Sequence, residues 1–378
     1  MNGLNPTPDP EKEKFPIEPG YHPLNKVLRK IYDFLASSRL AMALLVIILL
    51  CCIIGVTIYR EERATALIFG TLWFNGLLVL LIANVACCFF GRIWGRKLTL
   101  ISLGMILFHL SFVTMFAGII YNSLFYFRGI IRLTEGETLP NGDPQSYDLT
   151  DRGLFFKYSK FKGETNLIKV ESDFKVDGLV KRAGYQISVG EGRFKKNEII
   201  YVTKNLDYNG FRYFPDKIGY SLLLVLYDRQ GKELYGAYVP LQTFMLKNKT
   251  YLNTSGSKEG PGSFWFPQKP DKPLLDIQAA YRPDPKKDRA GEVDFQVRPH
   301  AGENPGHGER ALVEGKAAVG TKFDVGNYFL SAKEVHYWAG MRVVYEPGQP
   351  IVLTSMWAGL GGLIVTFYGR LRRRNKST

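Results

Sequence analysis

Cysteine is scarce, with four in 378 residues, and these stand as the adjacent pairs Cys51-Cys52 and Cys87-Cys88. So few thiols make no disulfide scaffold. Neighbours on a helix point about 100° apart, which excludes the chelating pattern of a Cys-x-x-Cys site, so all four read as small apolar packing residues. Residues 125–349 hold no cysteine, no Gly-rich phosphate loop after a strand and no His-x-x-x-His pair, and no catalytic constellation emerges there. Charge is missing too, but locally. Four stretches, at about 40–59, 72–90, 99–121 and 351–368, contain no Lys, Arg, Asp or Glu. A membrane helix needs about 20 apolar residues to cross a hydrocarbon layer about 30 Å thick, and each stretch is of that length. The 46% hydrophobic share is therefore segregated, which excludes both a simple cytosolic enzyme and a disordered chain.

Basic residues give the expected orientation, because short cytoplasmic flanks collect Lys and Arg. Lys26, Arg29, Lys30 and Arg39 precede the first span, Arg92, Arg96 and Lys97 fill the loop between the second and third, and Arg370, Arg372, Arg373, Arg374 and Lys376 follow the fourth. Between the first and second spans Arg60 and Arg63 are cancelled by Glu61 and Glu62. Both termini are thus expected in the cytoplasm. The expected fold is an α-helical membrane protein with four transmembrane helices and a large extracytoplasmic, mostly antiparallel β domain. Its parts are a cytoplasmic segment at 1–39, three spans within 40–124, the β domain at 125–349, a fourth span at 350–369 and a basic tail at 370–378.

The net charge of +14 does not point to nucleic acid, since the cytoplasmic flanks carry +9 and residues 125–349 only +5, as 33 basic against 28 acidic without a clear basic run. The 39 residues before the first span contain several prolines and acids, so an uncleaved anchor is expected rather than a signal peptide. Leu50 is too bulky for lipoprotein cleavage before Cys51. Leu24, Val27, Leu28, Ile31, Phe34 and Leu35 recur at helical spacing, which predicts an amphipathic helix lying on the inner membrane surface.

Residues 125–349 lack a long helical period but contain short β-favouring runs, for example at 154–158, 185–189, 199–203, 220–227 and 236–240. The stretch 220–239 reads as a hairpin turning at Asp228-Arg229-Gln230-Gly231. A sandwich or a pair of small sheets is expected, with 254–310, rich in Gly, Pro and Lys, as long loops. His300 and His307 read as surface histidines and His336 as a partly exposed strand position.

His109 differs from these. It stands about ten residues into a span of about 23, near the bilayer midplane, where an ionisable group defaults to a functional role. A neutral imidazole there can hydrogen-bond a neighbouring helix, relay protons, or bind a metal or haem iron. Met105, Ile106, Phe112 and Val113, at three and four residues' distance, with Phe116 a turn further on, make an apolar and aromatic surface that suits a flat porphyrin. Haem ligation and helix-to-helix hydrogen bonding both remain open, the former ahead. His109 is the only histidine in the four stretches, and Met105 on the same face cannot reach the far side of an iron it binds. A six-coordinate haem would take its second ligand from another chain.

Several segments carry a resemblance. Phe34-Leu35-Ala36-Ser37-Ser38-Arg39-Leu40-Ala41, the stretch from Gly104 to His109 and on to Gly118, Phe127-Arg128-Gly129 with Glu135-Gly136-Glu137, Leu206-Asp207-Tyr208-Asn209-Gly210-Phe211-Arg212-Tyr213-Phe214 and Tyr345-Glu346-Pro347-Gly348-Gln349-Pro350 occur in that order. Together with three spans, a large outside domain and a closing span, they resemble the ResB family, the CcsB component of system II cytochrome c maturation. The resemblance implies a multi-pass protein of the cytoplasmic (inner) membrane with a periplasmic domain. In complex with a ResC or CcsA-type partner, it carries haem b to the outer face for attachment to apocytochrome c, as a subunit that is not catalytic alone. It also implies that His109 is the axial ligand to the haem iron, with Met105, Phe112 and Phe116 lining the pocket. The Trp-rich haem-handling motif belongs to the partner. Here Trp73, Trp94, Trp265, Trp338 and Trp357 are dispersed, and Trp73, Trp94 and Trp357 near span ends read as interfacial anchors in membrane lipid. The rival expectation is a membrane-anchored binding or sensor protein without haem.

Overall fold

The computed structural model describes residues 23–59, 61–90, 98–181, 183–245, 251–256, 262–268, 273–287, 289–300 and 312–375. Arg60, Arg92, Trp94, Arg96, Lys97, His307 and Lys376 lie outside them. The chain forms two units, a helical one (Met1–Ser123 with Gly348–Thr378) and a β one (Leu124–Pro347).

In the helical unit the amphipathic segment is a helix, α1 (Pro23–Leu35), followed by α2 (Ser38–Thr57), the short α3 (Glu61–Ala64), α4 (Leu72–Val85), α5 (Leu100–Phe125) and α6 (Gln349–Arg374). A π-helical turn over Ala86–Phe90 extends α4. Four helices are long and apolar enough to cross a membrane, over Ser38–Thr57, Leu72–Phe89, Leu100–Phe125 and Gln349–Arg374. Leu44, Phe74, Leu78, Leu81 and Phe116, with Ile68 from the turn before α4, form a core shared by the first three of them. Val56, Ile58, Leu72, Ile364 and Phe367 stay exposed, a surface that lipid tolerates and water does not.

Without a hydrophobic force between helices in lipid, close approach depends on small residues. A Cβ on Gly104 would come within 2.7 Å of the Gly362 carbonyl oxygen, and one on Gly362 within 2.7 Å of the Phe108 backbone nitrogen, so α5 and α6 touch backbone to backbone. Thr114 and Ser355 share a 2.8 Å hydroxyl hydrogen bond along the same seam. Between α4 and α5, Asn75 Nδ2 donates to Ser123 Oγ at 2.9 Å.

The β unit is built around two 17-residue strands, Phe211–Tyr227 and Phe329–Tyr345, paired antiparallel from Phe211 opposite Tyr345 to Tyr227 opposite Phe329. Phe127–Thr134 and Leu149–Arg152 extend this sheet on one side and Glu233–Pro240 on the other. The long pair passes through two cores. One, around Phe127, Tyr213, Met341 and Val343, is closed by a four-stranded sheet that contains Glu164–Glu171 and Gly184–Gly190. The other, around Leu224, Leu330 and Val335, is closed by a six-stranded sheet. The hairpin expected at 220–239 is present, joining Phe211–Tyr227 to Glu233–Pro240.

Two expectations are corrected. The described residues within 254–310 are not all loop, because Leu275–Pro283 and Gly291–Pro299 are nine-residue paired strands. Leu275, Ile277, Ala279 and Tyr281, with Val293, Phe295 and Val297, alternate inward, and this period of two outweighs the Gly, Pro and Lys between them. Residues 154–158 form no strand. They make a turn leading into a 3₁₀ segment at Tyr158–Lys160, because Phe156 and Phe161 both plunge into the core and leave no alternation.

Candidate functional site

His109 is the tenth residue of α5, about 14 Å from the start of a helix about 39 Å long. Its Nδ1 lies 2.8 Å from the carbonyl oxygen of Met105, one turn earlier. A carbonyl only accepts, so Nδ1 carries the proton and the lone pair resides on Nε2. Nε2 has no hydrogen-bond partner among the described residues. The bond therefore runs within α5 rather than to a neighbouring helix. It fixes the tautomer and the ring, the same service that second-shell acceptors give to metal-binding histidines.

A cavity of about 500 Å³ adjoins the ring, a volume in the range of small-molecule and cofactor sites. Met105, Phe112 and Phe116 line it with His109. From α4 and its π-turn come Leu81, Asn84, Cys88 and Phe89, and α2 adds Leu45. Phe89 stacks on His109, with ring centroids 3.5 Å apart and planes 8° from parallel. A bond at Nε2 lies in the imidazole plane, so the stack covers a face of the ring and leaves that edge clear.

Asn84 supplies the polar element of this wall. Its Nδ2 donates to the carbonyls of Leu35 at 2.6 Å and Ser37 at 3.0 Å, which caps the α1–α2 turn. Its buried Oδ1 has no partner. The thiol of Cys88 reaches the Leu35 carbonyl at 3.8 Å, and no disulfide joins the four cysteines. Cys51 packs against the helical core as a small apolar residue would.

One imidazole nitrogen left open, apolar and aromatic walls and one unsatisfied amide oxygen leave room beside His109 for a flat, largely apolar group. Among the described residues no three His, Cys, Asp or Glu side chains converge as they would around a bare ion.

Sequence reasoning does not single out Phe89 or Asn84. Asn84 had a signal, a polar side chain inside an apolar stretch; Phe89 had none, being one phenylalanine among many. The other histidines are elsewhere. His300 Nδ1 meets Asp276 Oδ1 at 2.8 Å. His336 occupies a partly exposed strand position, with Nε2 3.3 Å from Glu334 Oε2. No family model and no curated protein sequence matches the chain.

Proposed function

We propose that this chain is the haem-holding subunit of a system II cytochrome c maturation complex, acting with a ResC or CcsA-type partner in the cytoplasmic membrane. The carrying observation is an imidazole with a committed tautomer at mid-span, beside a cavity of about 500 Å³ with aromatic walls. The resemblance of the ordered segments to the ResB family supports the same reading. His109 offers Nε2 as one axial ligand, Met105 fixes that choice through its carbonyl, and Phe89 holds the ring plane. Met105, Phe112 and Phe116 give the site apolar walls. Because α2, α4, α5 and α6 supply no second histidine, His109 would hold the haem iron from this chain and a further ligand would have to come from the partner. Bound haem supplies the vinyl carbons that become thioethers on the apocytochrome thiols. Lys and Arg on the span flanks favour both termini in the cytoplasm, with the β unit outside to meet the partner and the apocytochrome.

The test is the absorption spectrum of the complex copurified with its partner. His109→Ala is expected to weaken the Soret and α bands and stop cytochrome c maturation, and added imidazole is expected to restore the bands. If both bands and maturation survive the substitution, the ligand role is lost. The rival, a haem-free envelope-binding protein in which the Met105 bond and Phe89 stack merely pack His109, then stands.

A further inference from the structure

The chain leaves α5 through Leu124 and Phe125, which belong to the β unit, and enters the strand Phe127–Thr134. The edge strand Leu149–Arg152 pairs with its start, Arg152 opposite Phe127. The pairing then continues beyond both strands in the direction of the helix. The Gly153 nitrogen donates to the Tyr126 carbonyl at 2.9 Å and the Phe155 nitrogen to the Leu124 carbonyl at 2.8 Å. That register sets Leu154 and Phe155 beside the last turn of α5. Gly153 permits it, since a Cβ there would lie 2.4 Å from the Leu124 carbonyl carbon.

The side chains so placed are unusual for a soluble surface. Leu154 is 66% exposed and Phe155 51% exposed, and the Phe155 ring lies 5.8 Å from that of Phe125. Around them are cations: Lys160 Nζ is 5.2 Å from the Phe125 ring, Arg152 covers the Tyr158 ring at 5.2 Å, and Lys157 is exposed. At 26 residues, α5 is about 39 Å long against a hydrocarbon layer of about 30 Å, so its last turns stand in the headgroup zone. Exposed apolar tips ringed by aromatics and Lys or Arg are the composition of a membrane-interface anchor.

We infer that the 152–160 turn is a second membrane contact, in which Leu154 and Phe155 dip into the leaflet that α5 leaves while Arg152, Lys157 and Lys160 meet anionic lipid headgroups. Bilayer is the occupant because the turn is hydrogen-bonded to a helix end already at that depth, and its charge complements phosphate.

The experiment uses the full chain in nanodiscs of phosphatidylcholine and phosphatidylglycerol, with a nitroxide side chain introduced at 154, 155 or 194 by suppression, so that the native cysteines remain. Phe194 is the comparison, an exposed aromatic on the separate turn Gly192–Phe194. At 154 and 155, collisions with oxygen are expected to exceed those with a water-soluble nickel chelate severalfold, and at 194 the reverse. Nickel-dominated collisions at 154 would overturn the inference, and so would exclusion of both reagents, which signals a covering protein. Phe155→Trp gives a second measurement. Brominated lipid is expected to quench the added fluorescence, and no quenching above the parent chain counts against the contact.

Discussion

Phe89 lies flat on His109, its ring centroid 3.5 Å from that of the imidazole and its plane 8° away. The two residues come from different helical segments, and together with the Met105 carbonyl they hold the imidazole in one orientation. An aromatic stack of this kind contributes about 0.5–1.5 kcal/mol beyond area burial. Phe89→Ala is therefore expected to lower the melting temperature slightly while keeping His109 in place. On the proposed reading of His109 as a haem ligand, the low-spin electron paramagnetic resonance signal of the complex is expected to broaden as the ring plane loosens. An unchanged signal would show that Phe89 does not orient the ligand.

The α5–α6 seam makes a sharp contrast between neighbours. Gly362→Ala would push a methyl to 2.7 Å from the Phe108 backbone nitrogen, whereas Gly361→Ala meets nothing within 4 Å. The first is expected to destabilise the detergent-solubilised chain by about 1–3 kcal/mol, as overpacking does. The second is expected to be neutral or slightly stabilising through helix propensity. Thermal unfolding followed by size-exclusion recovery distinguishes them, and equal melting temperatures would contradict the backbone contact.

Glu346 ties two strands of the large sheet. Its Oε1 accepts from Arg128 at 2.9 Å and its Oε2 from Arg212 at 2.8 Å, all three side chains being partly buried. Glu346→Gln leaves two guanidinium groups facing each other without the carboxylate charge. A loss of about 1–3 kcal/mol is expected, between exposed and buried ion pairs. Urea unfolding of the full chain, read by near-ultraviolet circular dichroism, measures it, and an unchanged midpoint would mean that the pairs contribute nothing.

Acid should act on the β unit through three surface carboxylates. The Arg229 guanidinium holds Asp324 below the usual carboxylate value, Lys333 does the same for Glu233, and Lys204 for Glu198. Groups whose folded pKa is depressed add stability that is present above their unfolded values, about 4, and is lost as pH falls through the folded ones. The melting temperature is expected to hold from pH 7 to about pH 5 and to drop below about pH 4. Asp324→Asn is expected to shallow that drop, and a slope equal to the parent's would remove Asp324 from the account.

Much of the helical unit is legible in sequence because its signal is local. Twenty apolar residues without charge can hardly be anything but a span, and the periodic Val27, Leu28, Ile31 and Phe34 already describe α1. The hairpin at 220–239 is equally local, its turn residues lying between two β-favouring runs. The strands Leu275–Pro283 and Gly291–Pro299 were obscured because the Gly, Pro and Lys around them suggested loops, although the alternation of Leu275, Ile277, Ala279 and Tyr281 that packs against the long strand pair stands in the sequence itself.

The sequence by itself determined that four helices are long and apolar enough to cross a membrane, that His109 is the one histidine within them, and that Met105, Phe112 and Phe116 share its side of the helix. Helical periodicity and the absence of charge are properties of adjacent residues, so they need no fold to be read. Only the tertiary structure decided that Phe89 and Asn84 line the cavity, that Glu346 joins Arg128 and Arg212, and that Phe155 pairs with Leu124. These are pairings between distant parts of the chain, set by how helices and strands pack, and no local pattern encodes which partner each will find.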